Sequence, residues 1–370
     1  MNTKDIIGQH IFIGLSGHSL TNDEKKFIVE NNIGGICLFG RNVESPEQVR
    51  ELCAEIQDLR FQQADKAPLF IGIDMEGGRV HRLKAPFTKW PALRLLGDLD
   101  APTVSYNFAN AMGTELKAVG INLDFAPCVD IFTNPNNTVI GDRSLSTDPE
   151  IVAKHASALV RGYIKADIIT CAKHFPGHGN TLVDSHEDLP IENLDFKTLD
   201  NRELIPFKRV IKSRVDMVMT SHIKFPKIDP DWPVTLSQKF VTDIIRNELR
   251  YRGLIISDDL GMKAMTDHYG LEEVPVRALQ AGVDLLLYCN DPEVPPLALE
   301  SVLTATAQGV LSAEKLKASH RHILDFKHIK IKNPEPFSLD DVREIVGSEA
   351  HLALADAISN GITPDGLVDA

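Results

Sequence analysis

The sequence predicts an α/β chain folded as a closed (β/α)8 barrel of the TIM type. Three observations carry that expectation. Eight short apolar runs are spread over about 290 residues, helical segments with recognisable start signals lie between them, and no G-x-G-x-x-G follows the first run. Alternating strand and helix signals point to a parallel sheet with helices outside. The missing glycine fingerprint weakens the alternative, an open doubly wound sheet.

The eight runs are HIFIGLSG (10–17), IGGICLFG (33–40), PLFIGIDME (68–76), INLDFAPCVD (121–130), DIITCAKHF (167–175), VDMVMTSHI (215–223), GLIISDD (253–259) and GVDLLLYCN (282–290). They are rich in Ile, Val and Leu without strict polar alternation, as parallel strands covered on both faces should be. Thr21-Asn22-Asp23-Glu24 opens the first intervening helix. Ser45-Pro46-Glu47-Gln48 opens the next with a capping serine and a proline at the first helical position. Thr147-Asp148-Pro149-Glu150 repeats that pattern before IVAKHASALVRGYI. After about residue 327 the pattern changes. HIKIKNPEPFSLDD reads as a linker, and SLDDVREIVGSEAHLALADAIS as one more amphipathic helix begun by Ser338 with Asp341 three residues on. The expected organisation is a single catalytic barrel over 1–330, with a linker and short helical tail over 331–370, too short for a second domain.

A formal net charge of −13 argues against nucleic acid or an anionic membrane as partner, since no cationic excess meets the phosphates. The five cysteines are odd in number, widely spaced and without CxxC, which fits reduced thiols in a cytoplasm. The N-terminus lacks a basic region followed by a long apolar run, so neither a signal peptide nor a membrane span is expected. A cytoplasmic monomer or weak dimer is expected.

Polar residues end the runs: Asp74, Asp130, Lys173 with His174, His222, Asp258 and Asn290. In a closed barrel the C-terminal strand ends converge on one mouth, where active sites lie. The densest chemistry is KHFPGHGNTLVDSHEDLP (173–190), with His174, His178 and His186 beside Asp184, Glu187 and Asp188. Gly177 and Gly179 permit a tight loop over the mouth. Asp184-Ser185-His186 sets a carboxylate two residues from an imidazole, which it can orient and stabilise when charged. Such a histidine can protonate a leaving group and later deprotonate water. Alternatives stay open: zinc on His174, His178, His186 and Asp184, although the spacing is not HExxH and Pro176 prevents a shared helical face; or a Schiff base on Lys173. Asp258 at a strand end suits a nucleophile, while either Asp258 or Asp259 suits a helix cap. IDMEGGRVHRL (73–83) groups Asp74, Arg79 and Arg82, a set suited to hydroxyl-rich ligands, and VIGDRSLSTDP (139–149) adds Arg143.

Four motifs in order, IDMEGGRVHRL, GDRSLSTDP, KHFPGHGNTLVDSHEDLP and GLIISDDLGM, resemble glycoside hydrolase family 3 over roughly residues 5–330. The D-S-H element resembles its β-N-acetylglucosaminidase branch, which trims muropeptides in cell-wall recycling. The resemblance implies a (β/α)8 barrel with Asp258 as nucleophile, His186 as acid/base and Asp184 as its orienting aspartate. It implies sugar-binding roles for Asp74, Arg82, Arg143, Lys173 and His174, and no metal or cofactor. VGSEAHLALADAISNGIT resembles the start of a second domain in longer relatives. The expected activity is retaining exo-hydrolysis of terminal non-reducing β-N-acetylglucosamine from carbohydrate or muropeptide substrates. A β-glucosidase and a non-catalytic sugar-binding barrel are the alternatives.

Overall fold

The computed structural model describes residues 2–185 and 187–364. Its strands are β1 (Ile11–Gly14), β2 (Gly35–Leu38), β3 (Phe70–Ile73), β4 (Met75–Gly77), β5 (Val80–His81), β6 (Leu123–Asp124), β7 (Ile169–Phe175), β8 (Met217–Thr220), β9 (Leu254–Asp259) and β10 (Leu285–Tyr288). Eight of them close a parallel barrel in the order β1–β2–β3–β6–β7–β8–β9–β10, and β4 and β5 form a separate antiparallel hairpin beyond β3. Each barrel strand lies inside one of the eight apolar runs.

The two-residue period of a strand sorts the side chains. Phe12, Cys37, Phe70, Leu123, Ile169, Cys171, Met217, Met219, Leu254, Ile256, Leu285 and Leu287 form one cluster inside the barrel. Intervening residues such as Ile13, Ile36, Ile71, Ala172, Val218, Ile255 and Leu286 belong to the larger cluster beneath the helices. The helix Ala313–Lys330 closes the floor: Ile323 and Phe326 join the interior cluster, with the Phe326 ring 6.0 Å from Phe70. The same helix buries Lys327, whose ammonium donates to Gln9 Oε1 and to the Gly34 carbonyl, both at 2.7 Å. At the opposite, C-terminal end of the strands a cavity opens. Continuing the inward parity of β3, β7 and β9 by one step past Gly72, Cys171 and Ile256 aims Asp74, Lys173 and Asp258 at the axis there.

The start signals correspond to caps. Thr21 and Glu24 form a reciprocal capping box, and Ser45 accepts from the Gln48 N–H ahead of Pro46. At the third start the capping residue is Asp148 rather than Thr147, since its side chain accepts from the Glu150 N–H. The tail departs from expectation. It is two helices, Leu339–Ile345 and Glu349–Ser359, not one. Gly347 sits between them at φ +65°, where a Cβ would lie 2.2 Å from the Pro86 carbonyl oxygen, and Ser348 caps the second helix.

Candidate active site

A cavity of about 490 Å³ fills the barrel mouth, and Asp74, Arg82, Arg143, Lys173, His174, Asp184 and Asp258 all line it. Seven of the eight site residues expected from sequence therefore meet in one place; His186 lies outside the described residues.

One wall is a buried charge cluster. The Lys173 ammonium lies 2.5 Å from Asp74 Oδ1 and 2.7 Å from Glu76 Oε1. Arg143 grips Glu76 with two bonds of 2.8 Å, from Nε to Oε2 and from an Nη to Oε1. Burial alone would raise the Glu76 carboxyl, but Arg143 and Lys173 outweigh it and hold it well below the ordinary carboxylate range. Burial likewise disfavours a charged Lys173, yet Asp74 and Glu76 overcome it and push the amine well above its usual value. A lysine held as ammonium is a hydrogen-bond donor and a poor amine nucleophile, which sets the Schiff-base alternative aside. Glu76 is the member that sequence reasoning missed. Its signal was present: Asp74, Lys173, Arg82 and Arg143 together lacked enough counter-charge to be buried, and a Glu stands two residues beyond Asp74.

The second wall turns on Asp130, a strand-end residue with no role assigned from sequence. It is fully buried and accepts from the backbone N–H of His174 at 3.2 Å and of His178 at 2.7 Å, while His174 Nδ1 lies 2.7 Å from its Oδ2. Burial pushes this carboxyl up, but the His174 ring and the His178 N–H outweigh it and bring it to about 2. The ionised Asp130 thus fixes the orientation of His174, leaving Nε2 toward the cavity, 3.4 Å from an Arg143 nitrogen. His178 is spent differently. Its Nδ1 lies 2.8 Å from the Thr181 hydroxyl and its Nε2 3.2 Å from the Ser185 hydroxyl. Burial, followed by the nearby His174, drops its pKa to about 4, so it is a neutral structural ring at neutral pH.

Among the described residues, Cys128, Asp130 and His174 bring possible metal-ligand atoms within 4.8 Å of one another. Their chemistry suits a hydrogen-bond network better. The Cys128 thiol donates to Asp130 Oδ2 at 3.3 Å, burial raises its pKa well above the usual value, and both Asp130 oxygens already accept from the histidine segment. His178, a member of the zinc set considered from sequence, has both ring nitrogens engaged by hydroxyls.

Across the cavity, the two aspartates of β9 divide their work. Asp259 Oδ1 accepts from the N–H groups of Gly261 at 2.9 Å and Cys289 at 3.2 Å, and Oδ2 accepts from Asn290 at 3.1 Å. It braces the turn after the strand and joins it to the end of β10. Asp258 is half-buried, faces the cavity and accepts the Asp259 N–H at 2.8 Å. The acidic loop comes close to this strand end: the Ser185 carbonyl accepts from the Ala264 N–H at 3.2 Å, and His268 Nε2 lies 2.6 Å from Asp188. Asp184 is thereby brought into the same lining as Asp258.

Arg82 lines the cavity with a buried Nε that has no hydrogen-bond partner among the described residues. Arg79 instead donates to the carbonyls of Thr138, Val139 and Ile140, knitting the hairpin to the loop that carries Arg143. His222 does not line the cavity. It lies behind the wall, with Nδ1 2.8 Å from the Thr235 hydroxyl and Nε2 3.0 Å from the Asp259 carbonyl oxygen.

Among known proteins, the glycosyl hydrolase family 3 N-terminal domain matches residues 4–326. A β-hexosaminidase of Nitrosomonas eutropha is 37% identical over 289 residues, covering 76% of this chain and 81% of the relative. A β-hexosaminidase of Stenotrophomonas maltophilia is 35% identical, with 84% and 95% covered. In three dimensions the chain is similar to a family 3 β-N-acetylglucosaminidase from a Paenibacillus species, with a TM-score of 0.91, 36% identity, and 98% of this chain and 69% of that one covered. It is also similar to NagZ of Neisseria gonorrhoeae in complex with N-trifluoroacetyl-D-glucosamine, with a TM-score of 0.77, 30% identity, and 96% and 98% covered. A barrel mouth ringed by carboxylates and cations, joined to a family match along nearly the whole barrel, makes this chain a glycoside hydrolase of family 3.

Proposed function

We propose that the enzyme is a retaining exo-β-N-acetylglucosaminidase that releases terminal non-reducing N-acetylglucosamine, and that muropeptides of cell-wall recycling are its substrates. The observation that carries the reading is the pairing of Asp258 and Asp184 in one cavity whose other wall is a fixed array of hydroxyl-binding groups. Retaining hydrolysis needs a carboxylate nucleophile on one side of the bond and a proton donor on the other. Asp258 faces the cavity, whereas Asp259 has three donors on its carboxyl oxygens that tie it to the turn after the strand.

In this reading Asp258 attacks the anomeric carbon while His186, oriented by Asp184, protonates the departing oxygen. Water then cleaves the glycosyl-enzyme with His186 as base. Lys173, Arg82, Arg143, His174 and Asp74 hold the sugar hydroxyls. The mutual charges of Asp74, Glu76, Lys173 and Arg143 keep these groups in place before substrate arrives. The activities named for the β-hexosaminidase relatives and for the Paenibacillus enzyme support the choice of sugar.

The test is a panel of nitrophenyl β-glycosides and an anhydromuramyl-peptide disaccharide, scored by released sugar. Preference for N-acetylglucosaminides, with the muropeptide the better substrate, is expected. Equal or faster release of glucose would replace the reading with a β-glucosidase, and binding without any release would make the barrel a sugar sensor.

A further inference from the structure

The hairpin β4–β5 carries the sugar-facing wall: Asp74 precedes it, Glu76 lies within it and Arg82 follows it. Its inner side is fixed by the charge cluster. Its outer side has a different support. Met75 pairs with His81 across the hairpin, and His81 Nε2 lies 2.9 Å from the Thr88 carbonyl oxygen. Gly78 donates its N–H to the Trp90 carbonyl at 2.9 Å. The segment 86–90 is therefore the backing on which the hairpin rests.

That backing is held by Glu115, a carboxyl 1% exposed on the helix Pro102–Ala118. Thr88 donates its hydroxyl to Oε1 at 2.6 Å and its N–H to Oε2 at 3.1 Å. Two more contacts to Oε1 come from the C-terminal tail. Gly347 donates its N–H at 3.1 Å, and His351 Nδ1 lies at 2.9 Å. The His351 ring also packs on Trp90, with centroids 6.0 Å apart, and Gly347 packs directly against Pro86. Every one of these tail contacts falls on Glu115 or on the segment 86–90, more than 230 residues back in the chain.

We propose that His351 is a positioning residue for substrate binding: through Glu115 and Thr88 it clamps the hairpin that presents Asp74, Glu76 and Arg82 to the sugar. The tail is then part of the binding apparatus and not merely a covering for the barrel. A buried carboxyl that loses a donor relaxes toward other partners, and the two bonds it makes to Thr88 relax with it. The His81 bond to Thr88 transmits that shift to Arg82, its chain neighbour. The inference rests on the proposed reading only in taking the hairpin to be a sugar-binding element.

The experiment compares wild type, His351→Ala and His351→Asn in the full chain. An asparagine amide can place a donor near the position of Nδ1. Two quantities are read: steady-state kinetics on 4-nitrophenyl N-acetyl-β-glucosaminide, and hydrogen exchange of the amides of residues 75–82. His351→Ala should raise KM about 3- to 10-fold, roughly the share of one buried hydrogen bond, with kcat within about twofold, because uniform binding is lost and not transition-state binding. Hairpin amides should exchange faster in His351→Ala, and His351→Asn should restore both readouts. Glu115→Gln should shift them in the same direction as His351→Ala, and serves if the alanine variant folds poorly. Unchanged hairpin exchange in variants that fold would overturn the clamp. So would equal effects of alanine and asparagine. Faster hairpin exchange in an enzyme that neither binds nor cleaves the glucosaminide would leave the clamp standing and overturn the choice of sugar instead.

Discussion

Glu76→Gln is the sharpest perturbation of the sugar-facing wall. Glu76 Oε1 is shared between Arg143 at 2.8 Å and the Lys173 ammonium at 2.7 Å, and Oε2 takes Arg143 Nε at 2.8 Å. A glutamine fills the same space but offers one oxygen. Its amide NH2 must face Arg143 Nε in one orientation, or both an Arg143 Nη and the Lys173 ammonium in the other, donor against donor. The substitution also removes the shared counter-charge from two cations whose side chains are only 12% and 3% exposed. A unit charge about 4 Å away in a medium of effective dielectric near 20 is worth about 4 kcal/mol. Breaking one partner out of a buried pair costs about 3–5 kcal/mol in general. Urea unfolding of Glu76→Gln should therefore show a loss of about 3–5 kcal/mol, together with a raised KM, since Lys173 and Arg143 both line the cavity. The pH dependence has a definite sign. A carboxyl whose folded pKa is depressed stabilises the fold above its unfolded pKa, and that stability disappears as pH falls toward the folded value. The gap between wild type and variant should be full at neutral pH and shrink in acid, below an unfolded glutamate pKa of about 4.3. A stability loss under about 1 kcal/mol with unchanged KM would refute the reasoning, because it would mean the cations do not depend on Glu76.

Lys327 gives a signal of the same sign in a more alkaline window. Burial lowers its amine from 10.5 to about 7, partly offset by Asp65, so the unfolded chain binds more protons between those values; wild type should gain stability relative to Lys327→Met as pH rises through that window, and parallel curves would contradict it. His186→Ala should slow glycosyl-enzyme formation most for poor leaving groups, by about 10²–10⁴-fold, and least for dinitrophenolate. Equal losses across aglycones of graded acidity would mean that the acid lies elsewhere.

The barrel was legible because its physical requirements are written locally. Parallel strands covered on both faces must be apolar, and helix starts must satisfy orphan N–H groups, so runs such as GLIISDD and caps such as Ser45-Pro46 stand out in the sequence. Strand-end polarity then located the mouth, and the structure gathers Asp74, Lys173 and Asp258 there. What escaped was partnership across the fold. Glu76 meets Arg143 only because a hairpin folds back over the mouth, and a two-residue strand such as β5 has too few residues to show a period. Asp130 and His174 are 44 residues apart, so nothing local marked the aspartate as the group that orients the ring. His178 looked like chemistry because it stands in a loop crowded with histidines and carboxylates, yet its two hydroxyl partners make it structural. In the tail, the apolar pattern continues across Gly347 and so read as one helix. The break comes from close packing on Pro86, a contact that periodicity does not reveal.

The claim on which the mechanism stands is that Asp258 becomes covalently attached to the sugar. A fluorinated N-acetyl-β-glucosaminide with a good leaving group slows hydrolysis of the glycosyl-enzyme more than its formation, so the intermediate accumulates. Mass spectrometry of the digested enzyme then locates the added sugar. The account predicts one fluorosugar on Asp258, within the strand Leu254–Asp259, and none on the Asp258→Ala variant. A label on Asp259 would contradict it, and so would an active enzyme that never labels and releases its sugar with inverted configuration.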